Sequence, residues 1–160
     1  MDRINQIIHN EQYQSYYAQI EACEKDRIFC HHDMVHFLDV ARLAQLYNIQ
    51  ENCCIEKELV YATALLHDIG RHRQYIDGTP HEKTSGELAP EILDKCGFME
   101  DEKIQILDAI LSHRNKEIAQ EHTLRGIIYR ADKMSRSCFA CKAEKQCDWK
   151  NDKKTLFLVD

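Results

Sequence analysis

A chain of 160 residues suits one domain and can bury a core without help from disulfides or metal. Apolar residues make up 44 % and charged residues 30 %, which excludes a disordered or membrane class. The net charge of -6 argues against broad nucleic-acid coating and leaves a small molecule as the expected partner.

No apolar run approaches the roughly 18 residues of a membrane span, and "MDRINQIIHNEQ" lacks the basic and then apolar order of a signal peptide. A cytoplasmic protein is expected. The eight cysteines then read as reduced thiols or metal ligands rather than a disulfide framework.

Helices are predicted throughout. The first spans about 3 to 24. The second, about 33 to 48, has Asp33 as its N-cap and places His36, Val40 and Leu43 on one inward face. The third, about 55 to 69, contains "LVYATALL", apolar nearly all round and so central, with Gly70 as a left-handed stop. His67 and Asp68 fall on its last turn. A loop over about 71 to 80 leads to a fourth helix with Thr79 as N-cap, Pro80 first and Glu82 third, a capping box that puts His81 in the first turn. This helix runs to about Cys96, ends at Gly97, and should kink or split at Pro90.

The fifth helix, about 100 to 113, stacks Ile106, Ile110 and His113 in one stripe. The sixth, about 122 to 136, does the same with Arg125, Ile128 and Asp132. The remaining tail ends in "TLFLV", a short strand or a docked segment.

Six side chains stand at helix ends or on otherwise apolar faces: His36, His67, Asp68, His81, His113 and Asp132. Each alone has an ordinary explanation, a hydrogen-bonded core histidine or, for Asp132, an ion pair with Arg136 one turn on. Together they are harder to dismiss, because burying two carboxylates without cations costs several kcal/mol each. One divalent ion on His36, His67, Asp68 and Asp132 gives a neutral site. A second sharing Asp68 with His81 and His113 leaves +2, which attracts hydroxide and phosphate.

The order "HFLDVARLA", "ALLHDIGR", "HEKTSGELA", "ILSHR" and "YRADKMSR" resembles the HD-domain superfamily of metal-dependent phosphohydrolases over residues 30 to 136. The resemblance implies a compact all-α helical bundle with a metal site between its helices. His36, His67, Asp68 and Asp132 would hold one metal, and Asp68 would bridge to a second held by His81 and His113. The implied cofactor is one or two divalent ions of Fe, Mn, Zn, Ni or Co, with Mg as a further option. The implied reaction is hydrolysis of a phosphate ester or anhydride of a nucleotide-like molecule by a metal-bound hydroxide. No GYP signature is present, so cyclic dinucleotide cleavage is not expected. Two other classes stay open: a diiron oxygenase of the same fold, and a non-catalytic metal- or nucleotide-binding module.

Arg71, after "HDIG", resembles the phosphate-touching cation of several relatives, although a cation past a helix C-terminus is favourable in any case. Arg114, Lys133 and Arg136 are further candidates for substrate binding. His72 is expected on the surface, and His31 and His32 are not expected to bind metal. Cys138, Cys141 and Cys147 have C-x2-C-x5-C spacing, usual for zinc or an iron–sulfur cluster but one ligand short. Cys30 lies six residues before His36 and Cys138 six after Asp132, so Cys30 could close a four-cysteine structural site.

Overall fold

The computed structural model describes residues 1–158. Among them are eight α-helices and no strand: α1 Asp2–Ile8, α2 Glu11–Glu24, α3 Met34–Gln50, α4 Lys57–Leu66, α5 Arg71–Asp77, α6 His81–Lys95, α7 Glu100–Ser112 and α8 Leu124–Met134. Helix α4 is the centre, as its all-round apolar sequence requires: Leu59, Val60 and Ala62–Leu66 are all buried. It packs on α3, α7, α8 and α1, while α6 covers α7 and α5 lies across α6 and α2. One continuous core joins residues of α1, α2, α3, α4, α6, α7 and α8. No helix among the described residues is long and apolar enough to cross a membrane.

Several local signals act as expected. Asp33 Oδ1 accepts the His36 N–H at 2.9 Å and starts α3. Gly97 takes φ +74 after α6, a conformation that costs glycine little. His36, Val40, Ile106, Ile110, His113, Ile128 and Asp132 are all buried. Arg125 is not part of that inward stripe, because its guanidinium turns out to Glu121.

Other expectations need correction. The predicted first helix is two: the Asn10 side chain accepts from Gln12 N and Tyr13 N, a local cap that begins a new helix. The third ends at Leu66, and Gly70 is right-handed, with φ -83. Gly70 is there for space: a Cβ would sit 2.5 Å from Ser85 N and 2.6 Å from Thr84 Cβ, where α6 crosses. Gly70→Ala is therefore expected to cost about 1–3 kcal/mol, read by urea denaturation; an unchanged midpoint would refute this account.

The predicted loop 71–80 contains α5, whose one buried residue, His72, leaves no apolar periodicity to detect. Thr79 does not cap α6. Pro80 occupies the N-cap position with no side-chain cap, His81 is the first helical residue, and Thr79 N bonds Asp77 instead. Helix α6 neither splits nor stops at Pro90. Burial of Ala89, Ile92 and Leu93 around it outweighs the cost of roughly 3 kcal/mol of a helical proline.

The tail contains 3-10 turns rather than a strand over its described residues, and Val159 of "TLFLV" lies outside them. It is docked on the bundle: Thr155 Oγ1 donates to Lys133 O at 3.1 Å, and Phe139 N to Thr155 O at 3.0 Å.

Candidate metal centre

The helices deliver the six side chains to one buried point. His36 comes from the first turn of α3, Asp132 from the last turn of α8, and His113 is the residue after α7. His67 and Asp68 occupy the tight turn between α4 and α5, and His81 opens α6. Every one is buried.

Asp68 is the hinge of the arrangement. Its Oδ2 lies 3.7 Å from His36 Nε2 and 3.3 Å from His67 Nε2, and both of those nitrogens face Asp132 Oδ1, at 3.6 and 3.9 Å. Its Oδ1 lies 3.0 Å from His81 Nε2 and 3.6 Å from His113 Nε2. The two oxygens of one carboxylate thus serve two separate donor sets.

All four imidazoles are tied from outside by Nδ1. His67 Nδ1 donates to Ala64 O at 2.7 Å and His113 Nδ1 to Ile110 O at 2.6 Å. His81 Nδ1 faces Gln74 Oε1 at 2.5 Å. Ser135 Oγ, which donates to Asp132 O, lies 3.1 Å from His36 Nδ1. For His67 and His113 these bonds leave the Nε2 lone pair facing Asp68, the orientation that outer hydrogen bonds impose on metal-ligating histidines.

The donor set fits divalent ions. His67 Nε2 and Asp68 Oδ1 are buried without a hydrogen-bond partner. His81 Nε2 and His113 Nε2 face each other at 3.1 Å, and two lone pairs at that distance repel unless a proton or cation is shared. Ligands at about 2.1 Å from one ion and roughly at right angles stand about 3.0 Å apart.

Electrostatics agree. Burial pushes the Asp68 carboxyl up, but His67, His113, His32 and His36 outweigh it and hold it well below the usual range. Asp132 behaves likewise, burial being overcome by Lys133, His67 and Arg136. Burial lowers His36 and His81. His67 goes the other way: burial is outweighed by Asp68 and Asp132, which raise it to about 10. The pocket favours carboxylates with positive charge among them.

The predicted cations divide between two cavities. Arg71 and Arg136 line one of about 510 Å³, with Arg27 and His32. Arg71 Nη1 is 2.7 Å from His81 Nδ1, and Arg136 is buried, donating to His36 Nε2 at 3.0 Å and to His31 O at 3.1 Å. Arg136 is also 3.6 Å from Asp132, the ion pair weighed from sequence. Arg114 and Lys133 line the second cavity, of about 630 Å³, with Lys116, Tyr129 and Trp149. Lys133 Nζ contacts Asp132 Oδ2, and exposed Arg114 reaches Glu82 at 3.4 Å.

His32 lies close enough upstream of His36 in the sequence to approach the same cleft, and it does so, in a role outside the six expected ligands. It is buried, its Nε2 is 3.7 Å from Asp68 Oδ2, and its Nδ1 contacts Glu24 Oε1. Glu24, also buried, accepts the His32 N–H at 2.7 Å and the Tyr75 hydroxyl at 2.6 Å. The only sequence signal was proximity to His36. Glu24, Gln74 and Tyr75 had none. His31 is exposed, as its exclusion from the site requires. His72 is buried rather than exposed, stacked on Tyr16 at 5.7 Å.

An all-helical bundle that brings two carboxylates and four histidines together from five segments defines a class of metal-binding fold. The HD domain model matches residues 34–137, and the chain belongs to that family. An uncharacterized protein of Clostridium beijerinckii is 46 % identical over 156 residues, 98 % of either chain. A crystal structure described as a predicted HD superfamily hydrolase, from an uncultured Thermotogales bacterium, covers 89 % of this chain and 81 % of its own, with a TM-score of 0.63. At 21 % identity that likeness is one of fold.

Proposed function

We propose that the protein is a metal-dependent phosphohydrolase acting on a phosphate ester or anhydride of a nucleotide-like small molecule. The observation that carries this reading is the division of Asp68 between two donor sets. His36, His67, Asp68 and Asp132 would hold one divalent ion, and Asp68, His81 and His113 a second. Such ions, when bound, activate water near neutral pH and neutralise charge on phosphoryl oxygens.

The chain's own residues supply the rest. The outer Nδ1 bonds to Ala64 O and Ile110 O hold His67 and His113 in one tautomer. Arg71 and Arg136 border the donors on one side, and Lys133 and Arg114 on the other, where planar and point cations bind phosphate oxygens. Tyr129 and Trp149 in the larger cavity offer ring faces on which a base can stack. Five lysines and arginines lie there beside Asp152 alone, counting Arg114, Lys116, Lys133, Lys153 and Lys154, which suits an anionic substrate despite the acidic chain.

The test is phosphate release from a panel of nucleotides and a chromogenic phosphodiester by protein loaded in turn with Mn, Fe, Co, Ni and Zn. Turnover that needs metal and persists without O₂ is expected. Inactivity with every ion, or turnover that needs O₂, would overturn the reading. His113→Ala is expected to lower metal content by about one ion per chain; an unchanged count would leave a one-ion site.

A further inference from the structure

We propose that Cys30, Cys138, Cys141 and Cys147 hold an iron–sulfur cluster of cubane size beside the histidine and carboxylate centre. Nothing in the family match assigns this site, since three of the four cysteines lie beyond residue 137.

The four thiols converge from separate places. Cys30 belongs to the loop before α3, Cys138 and Cys141 begin and follow one 3-10 turn, and Cys147 follows the next. All four line the same cavity of about 510 Å³. None is in a disulfide. The remaining cysteines, Cys23, Cys53, Cys54 and Cys96, lie elsewhere and line no part of this cavity.

Spacing distinguishes the possible occupants. A single tetrahedral zinc with bonds of about 2.3 Å draws its four sulfurs to about 3.8 Å from one another. A four-iron, four-sulfide cube ligated at its corners holds its cysteine sulfurs about 6 Å apart. No three of these sulfurs lie within 4.8 Å of one another, and they surround a cavity instead of meeting at a point. Sulfurs that line one cavity without gathering leave room for the cube.

The charges lining the cavity suit a four-thiolate centre. Four thiolates around a cube of charge +2 leave -2, a net charge that needs nearby cations if it is to be partly buried. Arg27, Arg71, Arg136 and Lys154 line the cavity, against Glu144 and Asp148. The cluster would clamp residues 138–147 of the tail to the loop that carries His32, next to Arg136.

The experiment uses the full chain, purified anaerobically and reconstituted with sulfide and equal amounts of ferrous and ferric iron, which together sum to the cube of charge +2. About four acid-labile sulfides per chain and a broad absorption near about 400 nm, bleached by dithionite, are expected. Cys141→Ser and Cys147→Ser should each lose most of both signals while far-UV circular dichroism stays helical, and Cys54→Ser should keep them. Asp68→Ala should also keep them, so the cluster stands or falls independently of the hydrolase reading. No sulfide in the wild type, one zinc per chain that the cysteine variants lose, or signals retained in both variants would each overturn the proposal.

Discussion

Asp68→Ala is expected to remove metal and activity together while leaving the helices in place. The carboxylate is the one group that faces both donor sets, through Oδ2 toward His36 and His67 and through Oδ1 toward His81 and His113. Its removal would take a ligand from each proposed ion. Loss of an outer hydrogen-bond partner of a metal ligand already costs roughly 10–100-fold in affinity or activity, so loss of a shared ligand should exceed about 100-fold. The fold should tolerate the change, because Asp68 lies in the turn between α4 and α5, outside the apolar core cluster, and alanine is smaller. Elemental analysis and far-UV circular dichroism of the same sample decide it. Full metal occupancy in the variant would sink the shared-ligand assignment.

Glu24→Ala should have its largest effect on stability. Glu24 is 2 % exposed. Burial opposes its ionisation, but His32 and Tyr75 outweigh burial and hold the carboxyl down to about 2. Truncation would strip acceptors from the His32 backbone and ring and from the Tyr75 hydroxyl at once. Burial holds the His32 ring down to about 4, so truncation leaves buried donors without acceptors, at about 1–3 kcal/mol each, part of which water can recover through the half-exposed Tyr75. A loss of about 2–4 kcal/mol in urea denaturation is therefore expected. Glu24→Gln, which keeps an acceptor, should cost less, and metal content should stay near wild type in both because Glu24 touches no proposed ligand except through His32. Equal stability of Glu24→Ala and wild type would show that the network contributes nothing to the fold.

The parts of the site that could be read from sequence are those that repeat at helical spacing. Ile106, Ile110 and His113 share a stripe because an α-helix turns every 3.6 residues, and burial of the two isoleucines carries the histidine inward with them. The same rule exposes His36 behind Phe37, Val40 and Ala41. Asp33 was legible for a local reason too, since its carboxylate caps a helix beginning at the next residue.

Where the sequence failed, the deciding contact was distant in the chain. Gly70 looked like a helix stop, but its role is set by Ser85 and Thr84, fifteen and fourteen positions on, which leave no room for a Cβ. Helix α5 has no apolar face to announce it, and Pro90 stays helical because packing overrides propensity.

By itself, then, the sequence determined that the chain is helical and which six polar side chains enter its core, because hydrophobic periodicity is a local property of neighbouring residues. Only the tertiary structure decided that Asp68 divides its oxygens between two donor sets, that His32 joins through Glu24, and that four cysteines share one cavity. Those outcomes depend on the angles at which helices and loops meet, and the angles arise from packing the entire core at once.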